Sequence, residues 1–191
     1  MQQNIVLDLF RDAGAFLEGH FLLTSGLHSP HYIEKFRVLE RPEITARLCK
    51  AFADHFAPQE PTVVIGPMTG GIILAFETAR NLGTKSIFTE RVDGKMMLRR
   101  GFEIKPDDRV LILEDVVTTG GSLMEVIEVV KDTGATIVGI GLLVDRSGGK
   151  AQFGFPVYAL MTLDVQTFEP DSCPLCRQGI PLIKPGRTGK T

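Results

Sequence analysis

The feature that most constrains the fold is an alternation, after residue 61, of short apolar segments with segments of helical periodicity. The apolar segments are runs rich in valine, isoleucine and leucine, as in strands that are buried on both faces of a parallel sheet. The alternation therefore predicts an α/β protein with a central parallel sheet flanked by helices. We place strands at 62–67, 85–90, 108–115, 135–146 and 155–163, and helices at 70–83 and 120–134.

The N-terminal part of the chain has a different pattern. Residues 4–13 repeat apolar groups at helical spacing, and Gly14 is a suitable end for that helix. Residues 20–38 contain Ser-Gly and Ser-Pro pairs, which indicates two short strands joined by a turn. Pro42 is typical of the first position of a further helix.

Composition narrows the classes of function. The 191 residues are 43% hydrophobic and 23% charged with a net charge of −2, so we expect one globular domain over residues 1–191 that binds neither nucleic acid nor anionic membrane. No apolar run approaches the ~20 residues of a membrane span. The N-terminus lacks the basic start and continuous apolar core of a secretion signal, and three cysteines form no disulfide framework. These features predict a cytoplasmic protein.

Residues 91–106 interrupt the alternation, because they join two predicted strands without a helix. Asp93-Gly94 is typical of a tight turn, so we interpret the segment as a basic hairpin or mobile loop at one sheet edge. An ordinary solvated hairpin explains the charge equally well. The basic residues are Arg91, Lys95, Arg99, Arg100 and Lys105.

Three loops follow predicted strands at their carboxyl ends, where open α/β sheets bind ligands. The first is GPMTGG at residues 66–71, which would present free backbone N–H groups to a phosphate or diphosphate at a helix start. A glycine-rich turn without a ligand is the alternative. Another is VDRSGG at residues 144–149, where the Arg146 guanidinium can hold a carboxylate or carbonyl edge through two hydrogen bonds. The alternative there is a surface arginine.

The most informative loop belongs to VLILEDVVTTGGS, residues 110–122. Residues 118–122 offer hydroxyls and backbone N–H groups at a helix start, which suits a phosphate monoester. Glu114 and Asp115 would repel that phosphate, so they should face ribose hydroxyls or a magnesium ion. The Walker pattern is absent, which disfavours an ATPase. A ribose 5-phosphate fits both parts of this stretch, with its phosphate at residues 118–122 and its hydroxyls at Glu114 and Asp115.

This stretch resembles the motif with which type I phosphoribosyltransferases bind phosphoribosyl diphosphate (PRPP). Other segments resemble the members of that family that act on orotate, so the resemblance covers residues 3 to about 180. These other segments are GHFLLTSGLHSPHYIE near the start, GPMTGG, the basic loop 91–103 and VDRSGG. The resemblance implies an N-terminal hood at about 1–40, a core at about 41–165 and a C-terminal tail at about 166–191. We expect the tail to be frayed after residue 180.

The resemblance also implies a reaction: orotate and PRPP would give orotidine 5′-monophosphate and diphosphate in de novo pyrimidine (UMP) synthesis, with Mg²⁺ bound mainly through PRPP. Asp115 and Glu114 would hold the ribose, and Thr118 and Arg146 would bind orotate. The full set implied for PRPP is Glu114, Asp115, Val116, Val117, Thr118, Thr119, Gly120, Gly121, Ser122, Arg91, Lys95, Gly70 and Gly71.

In the same family the basic loop closes over the active site, often that of the neighbouring subunit in a homodimer. By that likeness Asp115, Lys95 and Arg91 would be the catalytic residues. Lys95 and Arg91 would neutralise the leaving diphosphate, with Arg99 and Arg100 as the next candidates.

The N-terminal hood of the family lies over the base. Here it would contribute Ser25, His28, Tyr32 and Lys35 to the orotate end of the site. The chain departs from many members by having Thr24 and Gly70 at positions where they carry basic residues, and by having no histidine in the basic loop.

Cys173 and Cys176 form a C-x-x-C pair. A structural zinc site needs four ligands, and the histidines lie far away in the sequence. The pair therefore leaves three alternatives open: free thiols, a weak zinc site shared across a dimer, or a disulfide. We expect Cys49 to be a buried apolar residue, and the histidines at 20, 28 and 31 to be polar lining of the hood rather than metal ligands.

Two other functions are compatible with the motif. A member of the same superfamily that acts on a purine or on uracil would share the sugar site, although Arg146 and the hood favour an acidic pyrimidine. A transcription regulator that senses nucleotides with the PRPP fold is the other alternative. The slight negative charge and the lack of a helix-turn-helix pattern disfavour that regulator.

Overall fold

The computed structural model describes residues 1–23 and 25–185. The strands are β1 (Phe16–Leu22), β2 (His28–Ile33), β3 (Val63–Pro67), β4 (Lys85–Val92), β5 (Lys95–Leu98), β6 (Arg109–Val117), β7 (Thr136–Asp145) and β8 (Val157–Thr162). The helices are α1 (Gln3–Asp12), α2 (Phe36–Leu39), α3 (Pro42–Phe56), α4 (Gly70–Leu82), α5 (Gly121–Lys131) and α6 (Pro174–Arg177).

Six strands form the main sheet in the order β5-β4-β3-β6-β7-β8. All neighbours are parallel except β5, which is antiparallel to β4. The α/β class with a central parallel sheet is therefore confirmed. The chain moves outward from β3 to β4 and in the opposite direction from β6 to β7. The carboxyl ends of β3 and β6 thus flank the point of reversal, where ligands bind in such sheets.

Helices cover both faces of the sheet because each crossover between parallel strands is right-handed. Residues of α1, α3 and α4 pack with Val64, Leu111 and Leu113 in one core. Residues of α5 pack with Ile65 and Ile112 in a second core on the opposite face. Since successive strand residues point to opposite faces, both faces require apolar residues, and the strands read as continuous apolar runs.

The N-terminal hairpin of β1 and β2 forms a separate two-stranded sheet. The C-terminal segment lies against it: Ile183 forms a bridge with Phe21, and Phe168 forms one with His28. The prediction of fraying after residue 180 is therefore wrong as far as Ile183, whose backbone is hydrogen-bonded to His20 and Leu22. Thr24 and residues 186–191, which were part of the predictions above, lie outside the described residues.

The basic segment forms the predicted hairpin, in which Val92 pairs with Lys95 and Thr89 pairs with Leu98. Asp93 and Gly94 have φ angles of 48° and 81°, as a two-residue turn between right-twisted strands requires.

The short helices α2 and α6 were not predicted, because four residues are too few to show a helical period. Among the helices of the described residues, none combines the length and the apolar character that crossing a bilayer demands.

Candidate active site

The loop after β3 meets β6 at Gly70 and Asp115. A Cβ atom added at Gly70 would overlap the Asp115 carboxylate, so only glycine leaves room for that side chain. Gly70 is also the first residue of α4. The contact brings the start of a helix and a buried acid to one place at the reversal of the sheet, as the positions of the loops predicted.

Asp115 is only 4% exposed and is held by several donors. The Lys35 ammonium lies 2.7 Å from each of its carboxylate oxygens. The backbone N–H of Val116 donates to its Oδ1 at 2.6 Å. Lys35, which we expected at the orotate end of the hood, therefore contacts the acid that was assigned to the ribose.

Glu114 is 7% exposed and lies beside the loop that follows β6. Burial, and next the negative charge of Asp115, raises the pKa of Glu114 to about 8. Its Oε1 accepts a hydrogen bond from the Asp115 N–H at 3.0 Å. The raised pKa favours the protonated form of Glu114, because a second buried negative charge beside Asp115 is unfavourable.

The loop at residues 118–122 surrounds a cavity of about 410 Å³ that is lined with Glu114, Val116, Val117, Leu123 and Glu125. Gly120 precedes α5 with a φ of 83°, and no side chain caps the first N–H groups of this helix. A Cβ atom at Gly120 would lie 2.6 Å from the Phe153 ring. Exposed hydroxyls and uncapped N–H groups therefore line this cavity. Binding of an anion by residues 118–122, called the anion cradle below, stays a prediction.

A second cavity, of about 440 Å³, lies between the hood and β6. It contains Arg146 together with three hood residues that were predicted for the base end, Ser25, Tyr32 and Lys35. His28 is not part of its lining and lies instead against Cys176. The other lining residues are Leu22, Leu23, Ile33, Val116, Thr118, Thr119 and Pro185.

The backbone N–H of Arg146 is hydrogen-bonded, whereas one donor of its side chain has no partner among the described residues. Its N–H donates to Val117 O at 2.8 Å, and its buried Nε atom has no hydrogen-bond partner among the described residues. Burial lowers the pKa of Arg146 below its usual value. A partly buried guanidinium with a free donor favours an anionic or carbonyl-bearing ligand.

Asp145, which was not predicted, orders the loop around Arg146. Its Oδ1 accepts hydrogen bonds from the Ser147 N–H and Oγ at 2.8 and 2.7 Å, and its Oδ2 accepts one from the Gly149 N–H at 3.0 Å. An acid followed closely by Ser-Gly-Gly is a recognisable turn signal, so the turn around Arg146 was predictable from the sequence.

The basic hairpin forms two ion pairs on the exposed surface. Arg91 contacts Glu125 at 2.8 Å, and Arg100 contacts Glu90 at 2.9 Å. Glu125 also lines the anion cradle, so Arg91 lies close to the expected position of a phosphate. Lys95 and Arg99 are exposed and form no ion pair with another described residue.

Two histidines of the hood lie next to the cysteine pair. His20 and His28 lie against Cys173 and Cys176, with the four ligand atoms within 4.8 Å of one another. His20 and His28, which we expected to be polar lining of the hood, are far from the cysteine pair in the sequence but meet it because the C-terminal segment folds back onto the hairpin.

Comparison with known proteins agrees with this geometry. Residues 37–171 match the phosphoribosyl transferase domain family, so the chain belongs to the phosphoribosyltransferase family. Proteins named orotate phosphoribosyltransferase are similar over nearly the full length. That of Desulforamulus reducens is 52% identical and covers 97% of both chains. That of Caldicellulosiruptor bescii is 49% identical and covers 100% of both. Within the family the chain thus belongs with the orotate phosphoribosyltransferases.

A solved structure supports the same assignment. The crystal structure of orotate phosphoribosyltransferase from Aeropyrum pernix superposes with a TM-score of 0.67 at 28% identity. It covers 83% of this chain and 93% of its own.

Proposed function

We propose that this protein transfers the 5-phosphoribosyl group of PRPP to orotate and forms orotidine 5′-monophosphate and diphosphate in de novo pyrimidine (UMP) synthesis. The observation that carries the proposal is that the anion cradle and the Arg146 cavity are adjoining. Both are lined by Val116, Thr118 and Thr119. One ligand with a phosphate at one end and a pyrimidine acid at the other fits such a site.

In the proposed reaction the bond between the anomeric carbon and the diphosphate oxygen breaks, and the bond between that carbon and orotate N1 forms. Residues 118–122 bind the 5-phosphate, and Arg146 binds orotate. Asp115 accepts hydrogen bonds from the ribose hydroxyls once Lys35 yields part of its contact. Glu114, when protonated, can also donate one. Catalysis then consists of positioning and of charge neutralisation on the leaving group.

Magnesium fits this site as a companion of PRPP. Among residues 1–23 and 25–185, no cluster of three or more carboxylates surrounds an ion site, and Lys35 occupies both oxygens of Asp115. Mg²⁺ keeps several non-protein ligands and commonly binds through substrate phosphates. Diphosphate oxygens would supply most of its ligands, with Asp115 and Glu114 as the nearest protein acids. The ion would neutralise charge on the leaving group.

The basic hairpin is proposed to close over the diphosphate, with Lys95 and Arg91 as its main contacts. Exposed Met68 and Phe76, the latter 64% exposed, lie on the loop after β3 and on α4. Exposed apolar side chains of this size support the proposed homodimer, in which the active site would be shared. Light scattering tests it: a monomer at micromolar concentration would contradict the dimer. A cytoplasmic location also stays a prediction.

The activity is tested by following the absorbance of orotate after PRPP and Mg²⁺ are added. We expect the orotate band to be lost, with no reaction when uracil, adenine or hypoxanthine replaces orotate. Turnover of one of those bases instead would assign the chain to another branch of the superfamily. Binding of PRPP without turnover of any base would favour a sensor.

A further inference from the structure

Four potential metal ligands meet where the C-terminal segment crosses the N-terminal hairpin. His20 lies in the second half of β1, and His28 begins β2. Cys173 directly precedes α6, and Cys176 lies within it. The ligand atoms of all four side chains lie within 4.8 Å of one another. From this cluster we propose that the protein binds one structural zinc ion through His20, His28, Cys173 and Cys176.

The separations fit a tetrahedral site. Cys173 Sγ lies 3.5 Å from His20 Nε2, and Cys176 Sγ lies 3.7 Å from His20 Nε2 and 3.4 Å from His28 Nδ1. Zn–S bonds of about 2.3 Å and Zn–N bonds of about 2.0 Å at tetrahedral angles place sulfur and nitrogen about 3.5 Å apart. The two imidazole nitrogens, at 2.9 Å, need only separate by about 0.4 Å to reach the tetrahedral spacing of about 3.3 Å.

The hydrogen bonding of His20 favours ligation by Nε2. His20 Nδ1 lies 2.8 Å from Ile180 O, and because a carbonyl oxygen only accepts, Nδ1 carries the proton. In the neutral ring the Nε2 lone pair is then directed at His28 and the two sulfurs. A backbone carbonyl that fixes the tautomer in this way is the usual outer partner of a metal-bound histidine.

Burial also distinguishes this cluster from a chance meeting of surface groups. His20, His28 and Cys173 are each at most 5% exposed, while Cys176 is exposed. Cysteine pairs spaced C-x-x-C with two histidines form closed structural zinc sites. Here the histidines come from a hairpin about 150 residues earlier in the chain, so the metal would join the two ends of the protein.

The consequence concerns the hood. Backbone hydrogen bonds already link Ile183 to His20 and Phe168 to His28 at 2.7–2.9 Å. The hairpin carries Leu22, Tyr32 and other residues that line the Arg146 cavity. The zinc ion therefore stabilises the wall of that cavity without touching the reacting groups. The proposed zinc site is argued from its four ligands and does not depend on the proposed function.

The first test is the metal content of the full-length protein purified under reducing conditions. We expect about one zinc ion per chain by elemental analysis. After removal of zinc, Co²⁺ should restore a stoichiometric complex with thiolate-to-cobalt absorption and the intense visible bands of tetrahedral coordination. Reduced wild-type protein that binds neither zinc nor cobalt would overturn the proposal. So would a Cys173–Cys176 disulfide that, once reduced, gives no metal site.

The second test uses matched cysteine variants. Cys176→Ser changes an exposed ligand, whereas Cys49→Ala changes the third cysteine, which is buried outside the cluster. We expect Cys176→Ser to lose at least about 10-fold in zinc affinity and Cys49→Ala to retain one ion. Equal affinity in both variants would contradict the site. Since the cobalt titration uses wild-type protein, a folding defect in a variant does not affect it.

Discussion

The Lys35 ammonium lies 2.7 Å from both carboxylate oxygens of Asp115, and the two residues are 80 positions apart. This ion pair joins the N-terminal hood to the strand that carries the sugar-binding motif. The hood therefore does more than line the Arg146 cavity, because its lysine is the charged partner of the acid that is proposed to bind ribose.

Asp115→Asn should lower kcat/KM for PRPP by about 10²-fold or more, because the amide is uncharged and leaves Lys35 without its partner. Circular dichroism should show a retained fold. Asp8→Asn, on the exposed face of α1, is the control. Wild-type kcat/KM in Asp115→Asn would remove Asp115 from the proposed role.

Gly70→Ala should both destabilise the protein and impair PRPP use, because the new Cβ atom displaces the Asp115 carboxylate. Gly121→Ala is a matched control for stability, since no atom lies within 4 Å of its added Cβ atom. We expect a lower Tm for Gly70→Ala only. Equal Tm values for both variants would show that the loop relaxes at no cost.

Arg146→Ala should raise KM for orotate about 10- to 100-fold while changing KM for PRPP much less. The magnitude corresponds to the loss of hydrogen bonds from a charged donor. Arg146→Lys should recover part of the affinity. Parallel increases in both KM values would argue against a role specific to the base.

Lys95→Ala should lower kcat by about 10²-fold, as expected when one charged donor to a leaving group is removed. Lys50→Ala, which breaks only a surface pair with Asp54, is the control. An unchanged kcat would transfer the role to Arg91, Arg99 or Arg100, and the same assay on those variants identifies which.

The raised pKa of Glu114 predicts a pH dependence of stability. The unfolded chain loses this proton near pH 4.5, whereas the folded chain keeps it until about pH 8. The folded state thus binds more protons in that interval, and the free energy of unfolding falls as pH rises, by at most about 1.4 kcal/mol per pH unit from this group.

Urea denaturation between pH 5.5 and 8.5 measures the effect. Glu114→Gln imitates the protonated side chain and should flatten the dependence. If the variant and the wild type lose stability in parallel as pH rises, the titration of Glu114 is not the source of the pH dependence.

Local patterns were sufficient for the main elements and for part of the site. The helices from Pro42, Gly70 and Gly121 and the strands between them follow from periodicity and from turn residues, which act within a few neighbours. The anion cradle was predictable for the same reason, since residues 118–122 are contiguous. Ile183 was not predictable, because its pairing with β1 depends on a distant strand edge.

The sequence by itself determined the α/β architecture and placed an acid pair directly before the loop at residues 118–122 that is proposed to bind an anion. Only the tertiary structure decided that Lys35 pairs with Asp115, that His20 and His28 meet the cysteine pair, and that burial raises the pKa of Glu114. The physical reason is that ion pairing, metal-ligand geometry and desolvation depend on which distant residues become neighbours, and one-dimensional spacing does not record this.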